Sequence, residues 1–290
     1  MELIYLLSTS QIWLLVTVGL ASLMIGSFLN VIINRLPVML EREWKQECNE
    51  FLGHTDTTAD NTRFNLAVPR SQCPKCGHQI TVLENIPLLS YLFLRGKCSD
   101  CKTPISIQYP LVEITTALLS MLIAAKFGFS KETLALLILT WTLITLFMID
   151  AQTMLLPDNL VYPLLWLGLL LNLNGFFITL ADSVIGAMVG YLILWSLFHL
   201  FKLLTGKEGM GYGDFKLLAA LGAWGGWQIL PFVIFASSAF GAIFGITVML
   251  LKGQRESQPM PFGPWLAMAG FVALVWHEEI VGYTRDFLLL

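Results

Sequence analysis

The chain has 290 residues, 56% of them apolar and only 13% charged, with a formal net charge of −3. An average soluble domain carries about 25% charged residues, so a soluble core of this length is excluded, and so weak a global charge offers no field for nucleic acid. The apolar residues fall in runs of membrane-spanning length, which points to an all-α polytopic protein of the lipid bilayer.

The first run, 12–33, contains no charged residue, and no Lys or Arg precedes it. It is too long for a signal-peptide core and is expected to remain as a span. A polar stretch, 34–109, follows it. Further apolar runs lie at 110–125, 133–149, 160–180, 183–201, 215–227, 229–251 and 262–281, so about eight transmembrane helices are expected. Since about 20 helical residues cross a bilayer core, the run 215–227 is short and also suits a half-span or a hairpin arm. The chain thus divides into a first transmembrane helix (1–33), a small domain (34–109) and a membrane bundle (110–290).

Cations orient these runs. With the amino terminus outside and all eight runs crossing, the inner side holds the cations from Arg35 to Lys102 together with Lys202, Lys207, Lys216, Lys252 and Arg255. Only Lys126, Lys131 and Arg285 remain outside. Both termini are then periplasmic, and the domain 34–109 is cytoplasmic.

That domain holds Cys73-Pro-Lys-Cys76-Gly-His78 and Cys98-Ser-Asp-Cys101. Two C-x2-C pairs supply four thiolates to one tetrahedral zinc, and Gly77 permits the tight turn that aims backbone amides at sulfur. A reducing cytoplasm disfavours the competing disulfide reading. Four thiolates leave no open position for water, so the metal is expected to be a structural staple for a small domain. His78 in place of one thiolate is the alternative ligand set. Cys48 is left as a free thiol, and His54, His199 and His277 suit surface or interface roles.

Two acidic residues stand out in the bundle. Asp150 ends the run 133–149, against both hydrocarbon and the helix dipole, and acids placed so are functional by default. Asp214 follows Gly211-Tyr-Gly213 and opens the run 215–227, where a helix cap is the plain alternative. Asp158 and Asp182 read mainly as caps. With eight crossings Asp150 and Asp214 share the cytoplasmic face, where two carboxylates can activate a water and protonate a leaving amine. Their opposite helix ends suggest Asp214 as the base and Asp150 as the acid. A proton or cation relay in a membrane transporter is the rival reading.

An ordered set of motifs then resembles the type 4 prepilin leader peptidase/N-methyltransferase family, membrane aspartic peptidases of the Gly-x-Gly-Asp type. The set comprises Gly26-Ser-Phe-Leu-Asn30-Val-Ile-Ile-Asn34-Arg35-Leu-Pro37, the cysteine quartet, Glu84-Asn-Ile-Pro87, Arg95-Gly96-Lys97-Cys98, Tyr109-Pro110-Leu-Val-Glu113, Asp150 with Leu156-Pro157-Asp158, and Gly211-Tyr-Gly213-Asp214-Phe-Lys216. The resemblance covers almost the whole chain. It implies a catalytic dyad of Asp150 and Asp214 and cleavage after a Gly that precedes the mature amino terminus. The substrates it implies are type IV prepilins or type II secretion pseudopilins at the bacterial inner membrane. It further implies N-methylation of the new terminus with S-adenosylmethionine, for which Gly96 and Lys97 are the candidate residues. A peptidase without methylation is the remaining alternative.

Overall fold

A computed structural model describes residues 2–53, 63–207, 209–252 and 260–288. His54 and Arg255 lie outside the described residues. The chain forms two compact units, 1–141 and 142–290, and the boundary falls within one helix, α5 (Lys131–Thr153).

In the first unit α1 (Glu2–Thr9) precedes α2 (Gln11–Phe51), whose 41 residues form one helix through Pro37. At 1.5 Å per residue α2 is about 60 Å long, roughly twice the bilayer core. The helix therefore does not stop where its apolar run ends at Ile33. Its second half carries the charged stretch, steadied at the surface by an i,i+4 pair between Lys45 and Glu41. The apolar half packs on α4 (Gln108–Phe127), which follows the short α3 (Leu89–Phe93). Gly26 makes that contact close, since an added Cβ would come within 2.8 Å of the Glu113 Cα.

In the second unit α5 is followed by α6 (Asp158–Asn172), α7 (Leu180–Thr205) and α8 (Tyr212–Gly225). Then come α9 (Leu230–Lys252), α10 (Gly263–Val275) and α11 (His277–Leu288). Helix α8 is the core: α6, α7 and α10 surround it, and every residue from Leu217 to Gly225 is buried. A helix apolar on all sides needs such a sheath. On α7, Gly186 and Gly190, four residues apart, admit the α8 backbone. A Cβ on Gly190 would lie 2.7 Å from the Leu218 carbonyl. This is the small-xxx-small contact of membrane helices. Asn172 serves the buried end of α8, its side-chain amide donating to the carbonyls of Ala223 (2.9 Å) and Trp224 (3.3 Å).

Each of the eight apolar runs contains a helix, but the run 160–180 is helical only to Asn172, beyond which the chain turns before α7 starts at Leu180. Among the described residues five helices (α2, α4, α5, α7 and the run of α9 from Trp227) have the length and apolarity of membrane spans. Helices α6 and α8, of 15 and 14 residues, are shorter than a bilayer core. The run 262–281 is not one straight helix, because α10 and α11 meet at an angle of 96°. His277 holds that elbow, donating from Nε2 to the Gly225 carbonyl at 3.0 Å.

Candidate functional site: an aspartate pair and a sulfur cluster

Asp150 lies in the last turn of α5 and Asp214 in the first turn of α8. The second unit brings their helix ends together from 64 residues apart in sequence, since Gly213 beside Asp214 and Gly263 against Asp150 both pack on Leu156. Both are buried, at 5% and 6% exposure. Asp214 Oδ2 accepts the Gly211 N–H at 3.3 Å, and the Asp150 carboxylate lies against the backbone of Gly263. Each also keeps one buried oxygen, Asp150 Oδ2 and Asp214 Oδ1, with no hydrogen-bond partner. Buried carboxylate oxygens without partners are costly and belong where a ligand or water completes them.

Glycines allow this closeness. A Cβ on Gly213 would lie 2.7 Å from Leu156 Cβ, so the start of α8 could not otherwise sit on the segment after α5. A Cβ on Gly263 would lie 2.6 Å from Asp150 Oδ2. Gly263 starts α10, and sequence reasoning passed over it. The only local signal was Gly263-Pro264, a helix opening with proline at its start. Its placement also changes the electrostatics expected of Asp150. The carboxylate at the end of α5 lies against the amino-terminal end of α10, so both acids now sit at helix starts. The asymmetry used to divide acid from base between them is thereby removed.

Asp158 and Asp182 have other work. Asp158 is not a cap: it lies in the first turn of α6 and pairs with Lys216 of α8 at 2.8 Å, tying the two helix starts together. Asp182 does take part in a cap, its N–H donating to Thr179 Oγ1 at 3.1 Å, and it also accepts from Trp227 and Gln228. His199 is exposed, with Nδ1 2.9 Å from the Trp195 carbonyl.

In the first unit Cys73, Cys76, Cys98 and Cys101 converge, with their sulfurs all within 4.8 Å of one another. Tetrahedral metal–sulfur bonds of about 2.3 Å require sulfurs about 3.8 Å apart. The Cys73–Cys101 and Cys76–Cys98 separations are 3.7 and 4.0 Å, so the donor set fits such an ion. The two turns are built alike. The N–H of Cys73 donates to the carbonyl of His78 at 2.9 Å, and that of Cys98 to the carbonyl of Thr103 at 2.8 Å. An isolated bridge closes each in the same register, Gln72 to Gln79 and Lys97 to Pro104. After the second cysteine of each turn the backbone is left-handed, at Gly77 (φ 74°) and at Lys102 (φ 57°). Side-chain and backbone hydrogen bonds from Thr103 hold the Cys101 thiol down at about 6.

His78 stands outside the quartet. Its Nε2 lies 3.1 Å from Ser99 Oγ and 3.3 Å from the Glu84 carboxylate, linking the two turns. Hydrogen bonds from Ser99, then from the backbone and hydroxyl of Thr81, hold Glu84 down at about 2. Cys48 is an exposed free thiol. Gly96 is buried with φ +67°, and an added Cβ would strike the Tyr91 hydroxyl at 2.9 Å. Lys97 supplies backbone to the second turn and leaves its side chain exposed.

Apolar helices of span length mark a multi-pass membrane protein, and its second unit buries a pair of aspartates. Residues 20–127 match the bacterial peptidase A24 N-terminal domain, and residues 137–246 match the type IV leader peptidase family. The chain belongs to the type IV leader peptidase family. It is 60% identical to a prepilin leader peptidase/N-methyltransferase of Aeromonas hydrophila over 272 residues, covering 93% of this chain and 94% of the relative. Proteins of the same name from Pseudomonas aeruginosa and Legionella pneumophila are 55% and 44% identical, covering 98% and 92% of this chain and 96% and 92% of theirs. No solved structure matches the chain.

Proposed function

We propose that the chain is a bifunctional enzyme of the bacterial inner membrane. It removes the leader of type IV prepilins or type II secretion pseudopilins after a glycine, and it then N-methylates the new amino terminus with S-adenosylmethionine. The observation that carries the peptidase reading is the pair Asp150 and Asp214, buried together with one unpartnered oxygen each. Water held between them loses a proton to one carboxylate as its oxygen attacks the scissile carbonyl. The other carboxylic acid protonates the amine as the carbon–nitrogen bond breaks. The name shared by the relatives supports both activities.

In this reading the cysteine quartet holds a structural zinc. The segment 34–109 is the methylation-associated cytoplasmic domain and 110–290 the peptidase bundle. The cation distribution supports periplasmic termini. Exposed Cys48 reports on that orientation: a membrane-impermeant maleimide should label it in inside-out vesicles and not in intact cells. Labelling in intact cells would reverse the topology. The decisive test of cleavage is incubation of the detergent-solubilised chain with a prepilin. Asp150→Asn and Asp214→Asn should each reduce cleavage at least about 100-fold, the scale of a lost acid or base. Full cleavage by either variant would dismiss the dyad. A product mass raised by one methyl group tests the second activity.

A further inference from the structure

The first unit holds a half-open cavity of about 530 Å³ that the aspartate pair does not line. It lies beside the sulfur cluster, and α2 and the start of α4 contribute Asn30 and Glu113 to its lining. Asn30 is 2% exposed. Its amide nitrogen donates to the carbonyls of Gly26 (3.3 Å) and Tyr109 (3.1 Å), which leaves the buried Oδ1 without a partner. Glu113 is 7% exposed and accepts the Leu88 N–H at 2.9 Å. No cation pairs with it among the described residues. A buried acid beside an unpartnered amide oxygen is a receptor for a positively charged donor group. The same cavity is lined by two arginines, Arg35 and Arg70, which suit a carboxylate. A site that offers acceptors and guanidinium groups in one chamber suits a ligand bearing both an amino-acid head and a cation.

We propose that this cavity is the methyl-transfer chamber, taking S-adenosylmethionine, and that Glu113 and Asn30 receive the amino group to be methylated. The inference rests on the bifunctional reading above and assigns its second activity to a place. Its volume falls in the range of about 300–1,000 Å³ usual for cofactor sites. Arg35 and Arg70 hold the carboxylate of the donor, and the ring of Tyr91 offers a flat apolar face. Asn30 Oδ1 accepts from the incoming ammonium, and Glu113 takes one of its protons. The freed nitrogen pair bonds to the methyl carbon. The carbon–sulfur bond breaks, its electron pair stays on sulfur as a neutral thioether, and the product leaves as a methylated ammonium. Glu113 then returns its proton to water. Gly96 acts at one remove, because a side chain there would displace Tyr91 from the cavity wall.

The test uses the full chain in detergent and three readouts: binding of radiolabelled S-adenosylmethionine by equilibrium dialysis, methylation and cleavage. Ile105→Trp, which fills the cavity, should weaken donor binding at least about tenfold, a loss of about 1.4 kcal/mol. Glu113→Gln should keep donor binding within about threefold while methylation falls at least about 100-fold. Both should still cleave prepilin. If Ile105→Trp loses its metal, Val31→Phe, which fills the same cavity from α2, takes its place. Unchanged donor binding in the filled cavity, or near-normal methylation by Glu113→Gln, overturns the assignment and leaves the bifunctional reading standing. A wild-type chain that neither binds the donor nor methylates its product overturns both.

Discussion

Replacing Gly263 by alanine adds one methyl group at the amino-terminal end of α10. The new Cβ would lie 2.6 Å from Asp150 Oδ2, 3.1 Å from its Cγ and 3.1 Å from Leu156 Cδ1. Carbon and oxygen rest at about 3.3 Å or more, so the carboxylate must retreat by about 0.7 Å or α10 must lift by as much. Overpacking of this kind costs about 1–3 kcal/mol of stability. A displacement near 1 Å of a reacting group costs about 100-fold in rate. Gly263→Ala should therefore lower prepilin cleavage between about 10- and 100-fold while the chain still folds and donor binding in the first unit persists. The matched control is Gly282→Ala on α11, where an added Cβ meets nothing within 4 Å and cleavage should not change. Cleavage by Gly263→Ala within about twofold of wild type, with the control equally silent, would refute the argument that this glycine sets the position of Asp150.

Other perturbations address the first unit. Gly96→Trp must strike Tyr91 and adopt a left-handed backbone, so methylation should fall at least about tenfold with cleavage retained, and equal loss of both in a folded protein would dismiss the link. Purified protein should carry about one zinc per chain, lost on Cys76→Ser or Cys98→Ser; metal analysis of never-chelated protein finding none would reject the assignment. Gly77→Ala meets no neighbour, so its cost is the left-handed backbone alone, about 1–2 kcal/mol, visible as weaker metal retention against a chelator. Glu84 is held at about 2 against an ordinary 4.5, so its stabilisation is fully present above about pH 4.5 and is lost as pH falls toward 2. Chelator resistance of wild type and Glu84→Gln should therefore differ at pH 7 and converge on acidification, and a difference that grew on acidification would contradict the sign.

Composition and run length alone identify a polytopic membrane protein, because a helix bonds all its own backbone groups in hydrocarbon and most of the runs are long enough to cross it. The cysteine quartet is equally legible, since a metal with four thiolates demands two close pairs and local turn chemistry supplies them. Asp150 and Asp214 could be singled out because an acid at a membrane helix end is expensive wherever it lies. What the linear pattern does not contain is which helix end faces which. Asp158 resembles a cap until α8 presents Lys216 to it. Gly263 looks like an ordinary helix start until the space left by its missing side chain receives Asp150. The length of α2 escapes hydropathy because a helix continues as long as its backbone bonds close, whatever the solvent around it. Likewise the short apolar run of α8 is explained only by its sheath of α6, α7 and α10, since burial within a bundle sets no length requirement. Local chemistry therefore nominates the reactive residues, whereas their partners, burial and missing hydrogen bonds are properties of non-local contact, which only the tertiary structure decides.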